Sequence, residues 1–130
     1  MVTVLLVEDD DLVRRATTKL LIRLRYKVIG FCDGSLAREF LKTSNENIDL
    51  IVSDIRMPEM DGIEFYRWLA EHMPHMLSSF LFHSSSESIL TTVDLKNVPR
   101  IDKPADSKSF TTFITNHLKS KKTDAGSQLP

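Results

Sequence analysis

Three short runs, each ending abruptly in charge, restrict what this chain can become. Val4-Leu5-Leu6-Val7 leads into Glu8-Asp9, Leu50-Ile51-Val52-Ser53 into Asp54, and Val98-Pro99-Arg100-Ile101-Asp102 into Lys103. Short runs rich in Val, Ile and Leu, with little polar alternation, read as strands covered on both faces. Between them lie apolar residues at helical spacing: Leu12, Val13, Ala16, Leu20, Leu21 and Leu24, then Ala37, Phe40 and Leu41, then Ile63, Phe65, Tyr66 and Leu69. Strands alternating with helices call for a parallel sheet with helices on both faces, a three-layer α/β domain. Right-handed crossovers leave few topologies for five such units.

The spacing predicts strands over 2–7, 26–31, 48–53, 79–83 and 98–102. It predicts helices from Asp10 or Asp11 to about 25, from Asp33-Gly34-Ser35 onward, from Asp61 to about His72 where Pro74 stops it, and over 107–120. Residues 1–120 then form the domain, and 121–130 a flexible tail or the start of a linker. At 130 residues the chain is long enough for one well-filled core. A net charge of −1 gives no support for nucleic-acid binding or attachment to a membrane surface. No apolar stretch approaches the roughly 20 residues needed to cross a bilayer, and the N-terminus runs into a strand without a basic leader. Cys32 is the single cysteine, so no internal disulfide is possible, and a lone thiol in an apolar stretch is expected to be a small buried hydrophobe. These features point to the cytoplasm.

Parallel neighbours align their carboxyl ends along one edge, where open α/β sheets bind ligands. Glu8, Asp9 and Asp54 would meet there with Lys103. Carboxylates held that close repel unless a cation joins them, and Mg²⁺ suits an all-oxygen set; a lysine facing them suits a phosphate. Each residue has a plainer reading. Glu8, Asp9 and Asp10 fit the acidic start of a helix, Asp10 or Asp11 as its cap, and Lys103 fits an ordinary surface lysine. His72 and His75 bracket a helix end at a spacing that could hold a metal, yet with no third ligand evident they read as exposed. His83 reads as a packing residue, and Met57, Met60 and Trp68 as core or docking surface.

The strings V-L-L-V-E-D-D, I-V-S-D-I-R-M-P-E-M-D-G and I-D-K-P, in this order and spacing, closely resemble the receiver domain of bacterial two-component response regulators. The resemblance covers about residues 2 to 120. It implies a single-domain, flavodoxin-like (βα)5 sandwich with sheet order 2-1-3-4-5. It implies that Asp54 is a phosphoacceptor, and that Asp9 and Asp54 ligate Mg²⁺ or Mn²⁺ directly. Glu8 would hold the ion through water, and the backbone carbonyl of Arg56 would add an oxygen. Lys103 would pair with a phosphoryl oxygen, before a cis bond to Pro104. Ser84 takes the place of the switch hydroxyl, against a plainer reading of Ser84-Ser85-Ser86 as a polar loop. The implied donor is a sensor histidine kinase or a histidine phosphotransfer protein, docking on the first helix near Leu12, Val13 and Ala16 and on the last helix. The resemblance implies no direct binding to nucleic acid or membrane, and it allows a homodimer. Enzymatic chemistry would be limited to phosphorylation and dephosphorylation of Asp54 itself.

Three features depart from the family pattern. Arg100 stands where most receivers carry Tyr or Phe, three residues before the lysine, and an arginine cannot be buried without a partner. The stretch from Ser84 to Lys103 is about one helical turn shorter than usual, and residues 88–97 hold two threonines and a valine, poor helix formers. The fourth helix is therefore expected to be short, irregular or absent. Asn97-Val98-Pro99 replaces the usual Gly-Ala. Arg56 and Ser86, each two residues beyond a site residue, occupy positions that tune phosphoryl lifetime in the family. The leading expectation is a phosphorylatable switch. A constitutive interaction module, keeping the site without switching, is favoured by Arg100 and the shortened stretch, and opposed by the complete set Glu8, Asp9, Asp54, Ser84 and Lys103. An aspartyl phosphatase acting on free metabolites lacks any further general acid in the sequence.

Overall fold

In the computed structural model, which describes residues 1–85 and 94–127, β1 (Thr3–Val7) runs inside the sheet with a parallel neighbour on each side. All five of its residues are buried. Val4 and Leu6 enter one apolar cluster with Leu21, Phe110 and Ile114. Leu5 and Val7 enter the other, with Ala37, Leu41, Phe65 and Leu69. Successive side chains of a strand point to opposite faces, so one unbroken apolar run supplies two cores.

The remaining elements are α1 (Asp11–Arg23), β2 (Lys27–Phe31), α2 (Gly34–Thr43), β3 (Leu50–Ser53), α3 (Gly62–His72), a 3-10 helix (Pro74–Ser79), β4 (Phe80–Ser84), β5 (Arg100–Asp102) and α4 (Ser107–Ser127). The sheet is parallel throughout, in the order β2-β1-β3-β4-β5. Helices α1 and α4 cover one face and α2 and α3 the other, as their buried residues show. Strand order reverses between β1 and β3, which opens a crevice at the carboxyl edge. The predicted α/β fold and strand order are those observed.

Each of the first three helices starts on an aspartate. Asp10 Oδ1 accepts from the amides of Leu12 (2.9 Å) and Val13 (3.1 Å). Asp33 Oδ1 does the same for Ser35 (2.8 Å) and Leu36 (3.1 Å). Asp61 and Glu64 form a reciprocal capping box. At its far end α1 closes with three backbone bonds, Leu24 N to Leu21 O at 3.1 Å, Arg25 N to Ile22 O at 2.8 Å and Tyr26 N to Leu21 O at 3.2 Å. This closure places Arg25 at φ 66°, a left-handed conformation where glycine is usual. Arg25→Gly should stabilise the domain by about 1 kcal/mol, read as a higher urea midpoint at unchanged slope.

The structure differs from the sequence reading in three places. The turn after Pro74 is a 3-10 helix, which the proline opens without needing an amide hydrogen. Helix α4 continues past Ser120 to Ser127. Cys32 is exposed, not buried: β2 is an edge strand whose residues are only half-buried or exposed, and Cys32 follows its last residue. Of the segment expected to hold a short or absent fourth helix, residues 88–93 lie outside the described residues, and 94–97 form a turn. Ser86 also lies outside them.

Candidate functional site

Strand register brings the charged residues together. Val7 pairs with Ser53, Ser53 with Phe82, and Ser84 with Asp102, so the residues just beyond the strands share one edge. The ladder continues one residue further. Glu8 N donates to Phe31 O at 3.0 Å, Asp54 N to Val7 O at 2.9 Å, and Lys103 N to Ser84 O at 3.1 Å. The Lys103–Pro104 peptide is cis.

Lys103 Nζ bridges two acids, donating to Asp54 Oδ2 at 2.9 Å and to Glu8 Oε1. Glu8 is only 2% exposed, and its other oxygen accepts from Asp10 N at 3.2 Å. Asp54 is 9% exposed; its Oδ1 accepts from Ile55 N at 2.7 Å, and the buried Ser84 side chain hydrogen-bonds it as well. Asp9 is exposed at the rim. One carboxylate oxygen from each of Glu8, Asp9 and Asp54 lies within 4.8 Å of the others. Opposite ligands of an octahedral Mg²⁺ stand about 4 Å apart, so this all-oxygen set fits such an ion. Together with Asp10, Val13, Arg56 and Ser85, these side chains line a cleft of about 550 Å³.

One ammonium serves two buried carboxylates, and the balance between burial and their hydrogen bonds decides which one stays charged. Burial pushes Glu8 up to about 7; the Lys103 hydrogen bond opposes this only partly, and the Asp54 charge adds to it. Burial also pushes Asp54 upward. There the hydrogen bond and charge of Lys103, with the Ser84 bond, prevail and hold it below the usual carboxylate range. Burial alone would lower Lys103, but its bonds to Glu8 and Asp54 outweigh that and raise it. Near neutral pH, Asp54 is therefore ionised and Lys103 charged.

The predicted residues Glu8, Asp9, Asp54, Ser84 and Lys103 thus share one cleft, with Arg56 on its exposed side. Asp10 is a helix cap, and Asp11 pairs with Arg14. His72 is exposed, its ring stacked on Trp68 with centroids 5.0 Å apart, and His75 is exposed; neither joins a metal-binding group among the described residues. His83 is buried against Phe110, with ring centroids 5.0 Å apart. Arg100 is half-buried and donates from Nε to Asp102 Oδ1 at 2.7 Å, so its charge does have a partner.

Three residues escaped the sequence reading. Ser53 Oγ donates to the Asp54 carbonyl at 2.8 Å. Arg14 Nη1 donates to the Glu8 carbonyl at 2.7 Å. Gly62 N donates to Ile55 O at 2.7 Å and brings the start of α3 onto the Asp54 backbone. Of these only Gly62 carried a signal, as the last residue of the M-P-E-M-D-G string.

A family model described as the response regulator receiver domain matches residues 4–115. The chain is a response regulator receiver domain. Receiver domains are phosphorylatable signalling switches that generally bind Mg²⁺ in an acidic pocket, and Glu8, Asp9 and Asp54 form such a pocket here. The response regulator receiver protein CpdR of Brucella abortus is 41% identical over 81 residues, covering 62% of this chain and 66% of that protein. A protein-glutamate methylesterase/protein-glutamine glutaminase of Nitrosomonas europaea is 30% identical over 131 residues, covering 94% of this chain and 36% of that one. A two-component response regulator-like protein of Arabidopsis thaliana, APRR9, is 37% identical over 86 residues, 66% of this chain and 18% of its own length. The receiver domain thus spans about a fifth to a third of the latter two relatives. Among solved structures, a CheY-like receiver domain protein of Methanospirillum hungatei superposes with a TM-score of 0.82 at 20% identity, covering 95% of this chain and 98% of that one. No helix among the described residues is long and apolar enough to cross a membrane.

Proposed function

We propose that this receiver domain takes a phosphoryl group onto Asp54 from a phosphohistidine, in a reaction that depends on Mg²⁺ or Mn²⁺. The observation that carries the proposal is the state of Asp54: it is held below the usual carboxylate range, in an open cleft, with Lys103 and Ser84 already on it. An ionised carboxylate can attack phosphorus. The P–O bond forms as the P–N bond of the donor breaks, and the imidazole leaves with the electron pair. Asp9, Asp54 and the carbonyl of Arg56 would hold the metal directly and Glu8 through water. Bound there, the ion supplies positive charge against the phosphoryl oxygens. Lys103 is placed to exchange its bond to Asp54 for one to a phosphoryl oxygen, and Ser84 to turn its hydroxyl the same way.

The donor is a sensor histidine kinase or a histidine phosphotransfer protein; a sensor kinase of Brucella abortus, CckA, is 30% identical to this chain over 122 residues, 89% of this chain and 12% of its own length. Leu12, 75% exposed beside the cleft, and Val13 offer a docking face. The domain acts in the cytoplasm and catalyses only the gain and loss of its own phosphoryl group. A second reading, a constitutive interaction module, is favoured by the ion pair that engages Arg100 with Asp102.

Incubation with acetyl phosphate and Mg²⁺ should add one phosphoryl group to the intact mass of the wild type and none to Asp54→Asn. Equal labelling of both would overturn the assignment. Amide exchange across 84–103 separates the two readings. A change on phosphorylation supports the switch, and modification without a change supports the module.

A further inference from the structure

We propose that Arg14 is a positioning residue for the cation site, clamping the turn that carries Glu8 and Asp9; this rests on the function proposed above. Its guanidinium reaches two points on either side of that turn. Nη1 donates to the carbonyl of Glu8 at 2.7 Å, and Nη2 bonds Asp11 Oδ1 in the first turn of α1. The Arg14 amide donates to Asp10 O at 2.8 Å. Backbone and side chain of one residue therefore hold Glu8, Asp10 and Asp11. Asp9 lies between them, exposed, and its carboxylate accepts no hydrogen bond from the described residues that would orient it. The position of that ligand is then set by the turn alone. The stem of Arg14 is anchored in its own right: it lies over Gly30, where an added Cβ would sit 3.6 Å from Cδ, and the side chain is 24% exposed. A planar fork making two directed bonds fixes geometry that a single ammonium cannot.

Charge and clamp act in opposite senses on a cation. The positive charge of Arg14 repels an incoming metal, so its removal alone tightens binding. Loss of the clamp lets Asp9 wander, so its removal weakens binding. Lysine keeps the charge and loses the fork; glutamine loses both. The test is the Mn²⁺ affinity of the unphosphorylated protein, read from the spectrum of free Mn²⁺ by electron paramagnetic resonance, with the urea midpoint of each variant measured alongside.

Arg14→Lys should raise the Mn²⁺ Kd about tenfold, equivalent to about 1.4 kcal/mol, and Arg14→Gln should raise it less, because lost repulsion offsets part of the effect. Asp11→Asn, which weakens one arm of the fork, should raise it by a smaller factor. A lysine variant within twofold of wild type overturns the clamp. So does a glutamine variant that binds more tightly than wild type while lysine changes nothing, which would make Arg14 only a charge. A lower urea midpoint with an unchanged Kd would make it merely structural and also overturns the proposal. Failure of the wild type itself to bind Mn²⁺ would instead bring down the proposed function, and this inference with it.

Discussion

Gly62→Ala should cost the domain about 3 kcal/mol or more and should abolish phosphoryl uptake at Asp54, although residue 62 contributes no side chain to the cleft. A Cβ at this position would fall 2.0 Å from the Asp54 carbonyl oxygen and 3.0 Å from both Asp54 C and Ile55 Cα. All three are backbone atoms, so no side chain can swing aside. Either α3 withdraws or the end of β3 is displaced. Withdrawal breaks the 2.7 Å bond from Gly62 N to Ile55 O and loosens Phe65 and Leu69, both fully buried. Displacement moves Asp54 relative to Lys103. Overpacking in a well-filled interior costs about 1–3 kcal/mol even where side chains can yield, so rigid backbone on both sides places this substitution at the upper end or beyond. Gly30→Ala is the internal control. On edge strand β2 its nearest neighbours would stand 3.6 Å away, and it should be nearly neutral. Urea denaturation and acetyl phosphate labelling of both variants check the pair. A Gly62→Ala protein with wild-type midpoint and labelling would show that the contact between α3 and β3 does not hold the acceptor in place.

This contrast marks what could be read in the sequence and what could not. β1 and β3 were legible because both faces of a central strand are buried, leaving uninterrupted runs of Val, Leu and Ile. Glu8, Asp54 and Lys103 were legible for the complementary reason, since charge directly after such a run can only emerge at the strand's carboxyl edge. Cys32 was misread because hydrophobic runs report burial averaged over a segment and do not say which strand lies at the sheet's edge. The end of α4 was misplaced because residues 121–127 are charged, polar or small, carrying no apolar periodicity to follow. Gly62 and Arg14 act through backbone carbonyls, and a carbonyl looks the same at every position. Arg100 illustrates the converse. Its demand for a partner was foreseeable, but its ion pair with Asp102 emerges only once β5 places both side chains on one face.

Two buried groups give the metal-free protein a stability profile in which opposite pH dependences offset one another. Glu8 titrates at 4.5 in the unfolded reference and at about 7 in the fold. Between those values the folded state holds the extra proton, so stability falls as pH rises. His83 runs the other way. Burial lowers it from 6.5 to about 4, with the Lys103 charge adding to the effect and Asp54 opposing it. Between those values the unfolded state holds the extra proton, so stability rises with pH. Each is worth at most about 3 kcal/mol, over windows that nearly coincide, and the wild type should therefore show a nearly flat urea midpoint from pH 4.5 to 6.5. Glu8→Gln removes the falling contribution and should expose a midpoint that climbs with pH. His83→Phe keeps a ring against Phe110 and should expose a midpoint that drops toward neutrality. Mg²⁺ binding favours ionised Glu8, so its addition should stabilise the wild type far more at pH 8 than at pH 5, and Glu8→Gln should lose most of that difference. Parallel profiles for all three proteins would mean that neither group titrates within the fold as its burial demands.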